Sequence, residues 1–235
     1  MSATTSIAWT DATWNPWRGC TRIDSGCRHC YMFAAQARYG RDPSVVVRTN
    51  TWRDPLRWQT AALKSGQRRL VFTCSWSDWF HAAADGWRAE AWTIIRACPK
   101  LTFQILTKRP ERILPHLPAD WGNTGYKNVW LGISVSDANG IWRVDQLRHV
   151  PARVRFISYE PALGPLTGLD LAGIQWLIYG GESGPGHRAD DTQWARDVRD
   201  LCRRSDTRFF YKQSAGPRPG TGITLDGEIV KEYPL

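Results

Sequence analysis

Thr102-Phe103-Gln104-Ile105-Leu106 is a short apolar run, with aromatic and β-branched members, that gives way at once to Thr107-Lys108-Arg109. A run of this length, closed by charge, has the signature of a buried strand rather than a helix. The pattern recurs along the chain. Leu70–Cys74 leads into Ser75-Trp76-Ser77-Asp78 and then His81, and Val129–Ser134 into Val135-Ser136-Asp137. Arg153–Tyr159 ends in Glu160-Pro161, Gln175–Tyr179 in Gly180-Gly181-Glu182-Ser183-Gly184, and Arg208–Tyr211 in Lys212-Gln213. Helical patterns lie between several of these runs: Gly86–Cys98 with Asp85 as its cap, a short one at Pro110–Leu117, Asn139–Val150, and Thr192–Arg204. Strands at βα spacing predict an α/β fold with a parallel sheet and helical crossovers. About six such strands are too few for an eightfold closure, so the expected architecture is a partial (β/α) TIM-type barrel. The Pro/Gly-rich link Pro161–Gly173 shows no helix pattern.

Polar and charged residues stand repeatedly where a strand ends. In (β/α) barrels that rim carries the active site. A single polar strand end means nothing, but six in succession mark a functional rim.

Upstream, Ile7–Pro16 reads as an opening strand and turn, followed by a loop holding three cysteines. Tyr31–Tyr39 reads as a helix stopped by Gly40. Asp54–Ser65 reads as another, with an acidic start, Pro55 in its first turn and Gly66 behind it. Downstream, Ser214–Gly222 is a Gly/Pro linker and Ile223–Val230 a hairpin around Asp226-Gly227, forming a lid or an edge. There is no internal repeat. The expected organisation is one domain over residues 1–235, with a cysteine loop at about 15–31 and a C-terminal tail at about 214–235.

Composition narrows the class. Of 235 residues, 42% are apolar and 23% charged, which excludes a disordered or fibrous chain. No stretch reaches the ~18 apolar residues of a membrane helix, and Met1–Ser6 lacks the basic-then-apolar order of a secretory signal. A cytoplasmic location is expected. The net charge of +9 suits an anionic partner such as nucleic acid, a nucleotide or phosphate. Arginine supplies most of it, and GC-rich coding gives the same skew without any partner. Fourteen Trp are available for base stacking, although most Trp in a globule is packing.

Six cysteines are present, three of them as Cys20-x6-Cys27-x2-Cys30. A tight thiol cluster in a chain large enough to bury its own core points to a metal site rather than a disulfide framework. A structural zinc needs four protein ligands. His29 is the nearest fourth donor here, but it is adjacent to Cys30. Three thiols with one open corner suit a [4Fe-4S] cluster whose unligated iron binds a substrate or cofactor. Cys74, Cys98 and Cys202 lack close spacing and read as buried small hydrophobes, the sharper alternative being a second cluster or a reactive thiol. The run Gly180–Gly186 matches neither a P-loop nor a dinucleotide fingerprint. It is either a backbone cradle for an anionic or amino-acid group or a plain loop.

Trp9–Pro16, Gly19-Cys20, Gly26-Cys27 and Cys30-Tyr31 together resemble the phage-protein three-cysteine-motif family, a domain of unknown function that looks like a compact branch of the radical SAM superfamily. The likeness extends through Ser75–Asp78, Leu106–Arg112, Val129–Gly132, Glu160-Pro161, Gly180–Gly186, Phe210–Gln213 and Leu225–Gly227. It implies a radical SAM-like partial barrel with a [4Fe-4S] cluster on Cys20, Cys27 and Cys30. S-adenosylmethionine (SAM) would chelate the fourth iron and be cleaved by one electron to a 5′-deoxyadenosyl radical. The chain departs from the usual superfamily pattern in its first gap, six residues instead of three, and in having His29 where an aromatic residue precedes the third cysteine.

The resemblance, laid over the strand ends, assigns candidate roles. Gly180, Gly181 and Glu182 are candidates for the SAM amino group, although the superfamily's Gly-Gly-Glu follows an earlier strand. Ser134 and Ser136 are candidates for the SAM carboxylate or ribose, with Ser75 a further cofactor contact. Lys108 and Arg109 are candidates for pairing with a carboxylate or phosphate. Asp78, Glu160 and Lys212 are candidates for substrate contact or proton transfer; a plain rim salt bridge is the competing role for Lys108 and Glu160. The expected activity is radical modification of a nucleoside, nucleotide or nucleic acid at sugar or base, including sulfur insertion or epimerisation, with a flavodoxin- or ferredoxin-type electron donor. Small size favours a small substrate. The alternatives are a radical SAM enzyme acting on a peptide or other small molecule, and a non-enzymatic zinc-stapled nucleic-acid-binding module.

Overall fold

The computed structural model describes residues 5–234. Met1–Thr4, most of the stretch read for a secretory signal, lies outside them. No helix among the described residues is long and apolar enough to cross a membrane. The fold is α/β, with strand order β1-β4-β5-β6-β7-β8-β9 in its main sheet. The chain divides into two compact units. The first holds the residues up to Thr21, Tyr31–Leu131 and Val150–Arg153; the second holds Arg22–Cys30, Gly132–His149 and Val154 onward.

The first unit contains β1 (Ala12–Trp14), β2 (Trp17–Arg18), α1 (Tyr31–Arg38), β3 (Val47–Arg48), α2 (Asp54–Ser65), β4 (Arg69–Thr73), α3 (Asp85–Arg96) and β5 (Leu101–Thr107). β1, β4 and β5 pair in parallel, and β2 and β3 form a small antiparallel pair. β1 is the strand that makes the sheet seven rather than about six; it lies within the opening stretch. The sequence signals set α2. Pro55 sits in its first turn, Gly66 ends it in the left-handed conformation at φ +72°, and Pro55, Trp58, Gln59 and Ala62 form its buried stripe. Most tryptophans of this unit go inside. Trp14 and Trp17 both touch Trp52 and Trp79, and the ring contacts continue from Trp79 to Trp92 and from Trp92 to Trp121. Each such pair adds about 0.5–1.5 kcal/mol beyond its buried area. These indoles are therefore core, not a stacking surface.

β6 (Val129–Val135) begins in the first unit and ends in the second. The second unit continues with α4 (Trp142–Arg148), β7 (Val154–Tyr159), β8 (Trp176–Gly180), α5 (Thr192–Arg204) and β9 (Arg208–Gln213). β7, β8 and β9 pair in parallel. β8 is buried along its whole length, as expected of a parallel strand covered on both faces. Register places Tyr159, Tyr179 and Tyr211 side by side on three neighbouring strands. Tyr179 and Tyr211 stack at 5.4 Å. α5 starts at the Asp191 carboxylate, which accepts from the Gln193 N–H at 2.8 Å. The tail is an edge. Lys231 bridges Phe210 antiparallel, and Asp226 and Gly227, both at positive φ, turn the chain between Leu225 and Glu228. A seven-stranded sheet with β1 and β9 at its ends is compatible with a partial barrel.

Three local expectations change. Asp85 does not cap α3. A 3-10 turn at Ala82–Ala84, capped by His81, leads into the helix, so Asp85 falls inside the first turn. It pairs there with Arg88 at 2.6 Å and Arg112 at 2.8 Å. Pro110–Leu117 is two 3-10 turns, because Pro115 has no N–H to continue an α-helix. Asn139–Val150 divides at Gly140 into a 3-10 turn capped by Asp137 and the shorter α4.

Candidate functional site

In the first unit the ends of β4 and β5 converge on one buried carboxylate. Asp78 accepts from the N–H of Phe80 at 2.9 Å, the Thr107 hydroxyl at 2.7 Å and the N–H of Lys108 at 2.9 Å. It also pairs with Arg109 at 2.9 Å, both side chains being nearly buried. Arg109 in turn donates to the Thr21 carbonyl at 3.2 Å, the Thr21 hydroxyl at 2.8 Å and the Cys20 sulfur at 3.8 Å. Thr21 meets His81 Nε2 at 3.2 Å. Asp78 thus holds Arg109 against Cys20, with its carboxylate bonded to Phe80, Thr107, Lys108 and Arg109 of the same unit. Burial opposes the Arg109 charge, but Asp78 and Cys20 together keep its pKa raised.

Ser75 is held by the Asn15 amide at 2.9 Å, and its carbonyl accepts the Tyr31 hydroxyl at 2.5 Å. Lys108 is half-buried beside this network. Cys74, at the turn, adopts the left-handed conformation at φ 58°, rare for a residue with a Cβ. Its thiol is buried, and burial, with Asp78 nearby, raises its pKa well above the ordinary value.

The second unit holds the other two cysteines of the three-cysteine motif on a turn. Ser25–Cys27 is a 3-10 turn, and the Cys30 N–H reaches back to the Cys27 carbonyl at 3.4 Å. Residues three apart in such a turn lie on one side. The turn is gripped by four side chains from two stretches, residues 137–143 and 182–188. Arg143 pairs with Asp24 at 2.8 Å, and Ser25 donates to Asp137 at 3.4 Å. Arg188 donates to the Ser25 carbonyl at 3.0 Å, and His29 Nδ1 meets Glu182 at 2.9 Å. Asp24 and Ser25 belong to the long gap between Cys20 and Cys27.

Glu182 is the hub of this grip. It is 5% exposed and also takes the Arg188 N–H at 2.8 Å and both ends of the Arg188 guanidinium. Burial pushes its carboxyl up, but the Arg188 and His29 hydrogen bonds outweigh it and hold the pKa at about 2. Gly180 and Gly181 are explained by packing. A Cβ on Gly180 would meet the Glu160 carboxyl at 3.1 Å, and one on Gly181 the Ala215 nitrogen at 2.1 Å. The N–H groups of Gly181 and Gly184 are bonded to the carbonyls of Gln213 and Gly216.

Glu160 and Lys212 form an ion pair across the ends of β7 and β9. The Ser134 hydroxyl donates to the Glu160 carbonyl at 3.2 Å. Ser136 is different. Its hydroxyl is buried and has no hydrogen-bond partner among the described residues. An orphaned buried hydroxyl at a strand end is a group awaiting a partner.

A family model for Protein of unknown function (DUF5131) matches residues 4–234. The chain belongs to the DUF5131 family. No curated protein and no solved structure matches it. The donors this DUF5131 chain offers a metal are its thiols. None of the six cysteines is disulfide-bonded; Cys20, Cys27 and Cys30 are partly exposed, while Cys74, Cys98 and Cys202 are buried. Burial alone pushes the Cys98 thiol up to about 12, and burial with Glu232 does the same to Cys202. Among the described residues no group of three or more His, Cys, Asp and Glu is gathered as around a metal ion. The donor chemistry nonetheless fits an iron–sulfur cluster: three partly exposed cysteines, one with an N–H donor on its sulfur. A cleft of about 360 Å³ runs along α3 between Arg88, Trp92 and Tyr126, and none of the candidate site residues lines it. Sequence reasoning missed Arg143, Arg188 and Thr21 altogether; no local motif marks them.

Proposed function

We propose that the chain is a radical SAM enzyme with a partial-barrel fold, acting on a nucleoside, nucleotide or nucleic acid. The observation that carries this reading is the anchored cysteine turn. Asp24, Ser25 and His29 are each fixed by a side chain of the second unit, while Cys27 and Cys30 stay partly exposed. Fixing the backbone of a loop while leaving its cysteines partly exposed is the arrangement a cluster-binding loop needs, since ordering is then complete before the ligand arrives.

Cys20, Cys27 and Cys30 would hold a [4Fe-4S] cluster, which when bound supplies the electron that cleaves SAM reductively to the 5′-deoxyadenosyl radical. The chain's own residues do the rest. Arg109, locked by Asp78, donates to the Cys20 sulfur, and an N–H on a ligating sulfur stabilises its negative charge. Ser136 supplies a hydroxyl lacking a protein partner, suited to a polar group of a bound cofactor. The Glu160–Lys212 pair, joining the ends of β7 and β9 across β8, stands as the proton-handling candidate. Lys108 offers a half-buried cation to a carboxylate or phosphate.

The test is anaerobic reconstitution with iron and sulfide, then addition of dithionite and SAM, with iron and 5′-deoxyadenosine measured together. About four irons per chain with 5′-deoxyadenosine formed is the expected result. Zinc in the purified protein, with no retained iron and no SAM cleavage, overturns the proposal in favour of a zinc-stapled binding module.

A further inference from the structure

Five rings of the first unit stand in a line. Trp17 meets Trp79 at 4.9 Å between ring centres, Trp79 meets Trp92 at 5.0 Å, Trp92 meets Trp121 at 5.3 Å, and Trp121 meets Tyr126 at 4.8 Å. Exposure rises along the line. Trp17 and Trp79 are fully buried, Trp92 and Trp121 nearly so, and Tyr126 is partly exposed. The inner end is tied to Cys20. The Trp17 N–H donates to the Asp78 carbonyl at 3.1 Å, and the Asp78 carboxylate holds the Arg109 that bonds the Cys20 sulfur.

The partners of the ring protons change along the same line. A buried indole N–H ordinarily finds an acceptor, and leaving one without costs about 1–3 kcal/mol. Trp79, and Trp14 packed against it at 5.9 Å, have no acceptor for Nε1 among the described residues. Trp92 and Trp121 donate to the carbonyls of His116 and Pro151 at 3.1 Å and 2.7 Å, and an amide carbonyl is no base. The outer end is the opposite. The Tyr126 hydroxyl donates to the Asp120 carboxylate at 2.5 Å, and Arg96 holds the other oxygen of that carboxylate at 2.6 Å. Burial, and then Asp120, push the Tyr126 phenol up to about 12, so the resting ring keeps its proton. Packing accounts neither for the orphaned N–H groups inside nor for a carboxylate set on the outermost ring.

We propose that these five rings are a path by which an oxidising equivalent, an electron vacancy, leaves the core of the first unit for the surface. Tryptophan and tyrosine are the aromatic side chains that most readily give up one electron. Electron exchange falls steeply with distance, so rings in contact exchange fast. An oxidant of the hydroxyl-radical class, which peroxide and iron generate, takes one electron from Trp17 and becomes hydroxide. Each outer ring then refills its inner neighbour. The indole cations on the way have no base to take their protons, so the vacancy moves on instead of settling as a neutral radical. At the surface Tyr126 gives its electron to Trp121 and its proton to Asp120, and the vacancy stops there as a tyrosyl radical. A soluble donor of the ascorbate class returns the electron, and Asp120 returns the proton. The origin of the oxidant rests on the iron-binding reading above; the path does not.

The test starts the vacancy at a known place. In the full chain carrying Cys27→Ala and Cys30→Ala, free of metal, a ruthenium polypyridyl photo-oxidant is attached to Cys20, the partly exposed thiol that remains. A laser flash with a soluble electron acceptor oxidises the label, and transient absorption with electron paramagnetic resonance reads the radicals. This chain is expected to give a tyrosyl radical. Tyr126→Phe should lose it and leave a tryptophan radical. Trp92→Phe, which keeps a ring in the core but not an oxidisable one, should lose it too. Asp120→Asn should leave a tryptophan radical in its place, and Asp120→Glu should restore the tyrosyl. A tyrosyl radical that survives Tyr126→Phe or Trp92→Phe, at unchanged circular dichroism, overturns the path, as does none in the starting chain. With Cys27 and Cys30 restored, the chain and its Tyr126→Phe variant are then reconstituted with iron and challenged with peroxide. Mass spectrometry should find oxidised Trp17 and Trp79 accumulating in Tyr126→Phe beyond the parent, and equal damage overturns the proposal. A tyrosyl radical after the flash, in a protein that retains no iron on reconstitution, keeps the path and overturns the enzyme reading.

Discussion

Arg109 and Asp78 form a buried ion pair at 2.9 Å whose cationic end also bonds the Cys20 sulfur. A pair like this stabilises little over an apolar replacement, but removing one partner leaves an uncompensated charge out of water. Arg109→Met should therefore cost about 3–5 kcal/mol, read as a fall in the urea midpoint at unchanged slope. Asp78→Asn should cost a similar amount, because one amide oxygen cannot take the places of two carboxylate oxygens bonded to Phe80, Thr107 and Lys108. A loss below about 1 kcal/mol would mean that water reaches the pair.

Glu182 ties the cysteine turn to the end of β8, and its pKa sets when that tie fails. Its carboxyl is held at about 2 against an ordinary 4.5, so it binds a proton less readily folded than unfolded. The resulting stability is fully present above pH 4.5 and is lost as pH falls towards 2. The size is on the order of 3 kcal/mol. Glu182→Gln should be less stable than the parent at neutral pH, and the two stability curves should converge on acidification. Parallel curves across that window would show that Glu182 is not the linked group.

How far the sequence reaches depends on the range of the interaction. α2 is legible because its signals, Pro55 and Gly66, are local, and α5 coincides with the helical pattern at Thr192–Arg204. The strand ends are legible for the same reason, since a run of apolar residues stops at its first charge. Asp85 misleads because the turn before it, set by His81, moves the cap upstream. The site is less legible. His29 and Glu182 are separated by 153 positions, and Glu160 and Lys212 by 52. Nothing near His29 names its partner; only the strand order brings them together. Gly180 and Gly181 show the converse problem. A glycine pair reads the same from sequence whether a ligand or the chain's own backbone fills the space.

That ambiguity is testable at Gly181. Its missing Cβ would lie 2.1 Å from the Ala215 nitrogen and 2.5 Å from the Ser214 carbonyl carbon, both backbone. Gly181→Ala must push the tail segment away and should cost about 3 kcal/mol or more. Gly184→Ala meets no neighbour and carries only the strain of φ +114°, roughly 1–2 kcal/mol. Thermal denaturation of the two variants separates them. A Gly181→Ala protein that is fully stable but has lost cofactor binding would make the glycine a ligand cradle after all.

The six thiols should divide by reactivity as they divide by burial. Cys74, Cys98 and Cys202 are closed off and their pKa values are raised, so at about pH 8 they offer almost no thiolate. Cys20, Cys27 and Cys30 are reachable from solvent. Iodoacetamide on the native metal-free chain should add three groups, rising to six after unfolding, as counted by mass spectrometry. Single replacement of Cys74, Cys98 or Cys202 by Ala should leave the reconstituted iron content unchanged. Cys27→Ala or Cys30→Ala should remove SAM cleavage entirely. Unchanged 5′-deoxyadenosine formation in either of these two would remove the cluster from this turn, and iron lost with Cys74 instead would move it to the end of β4.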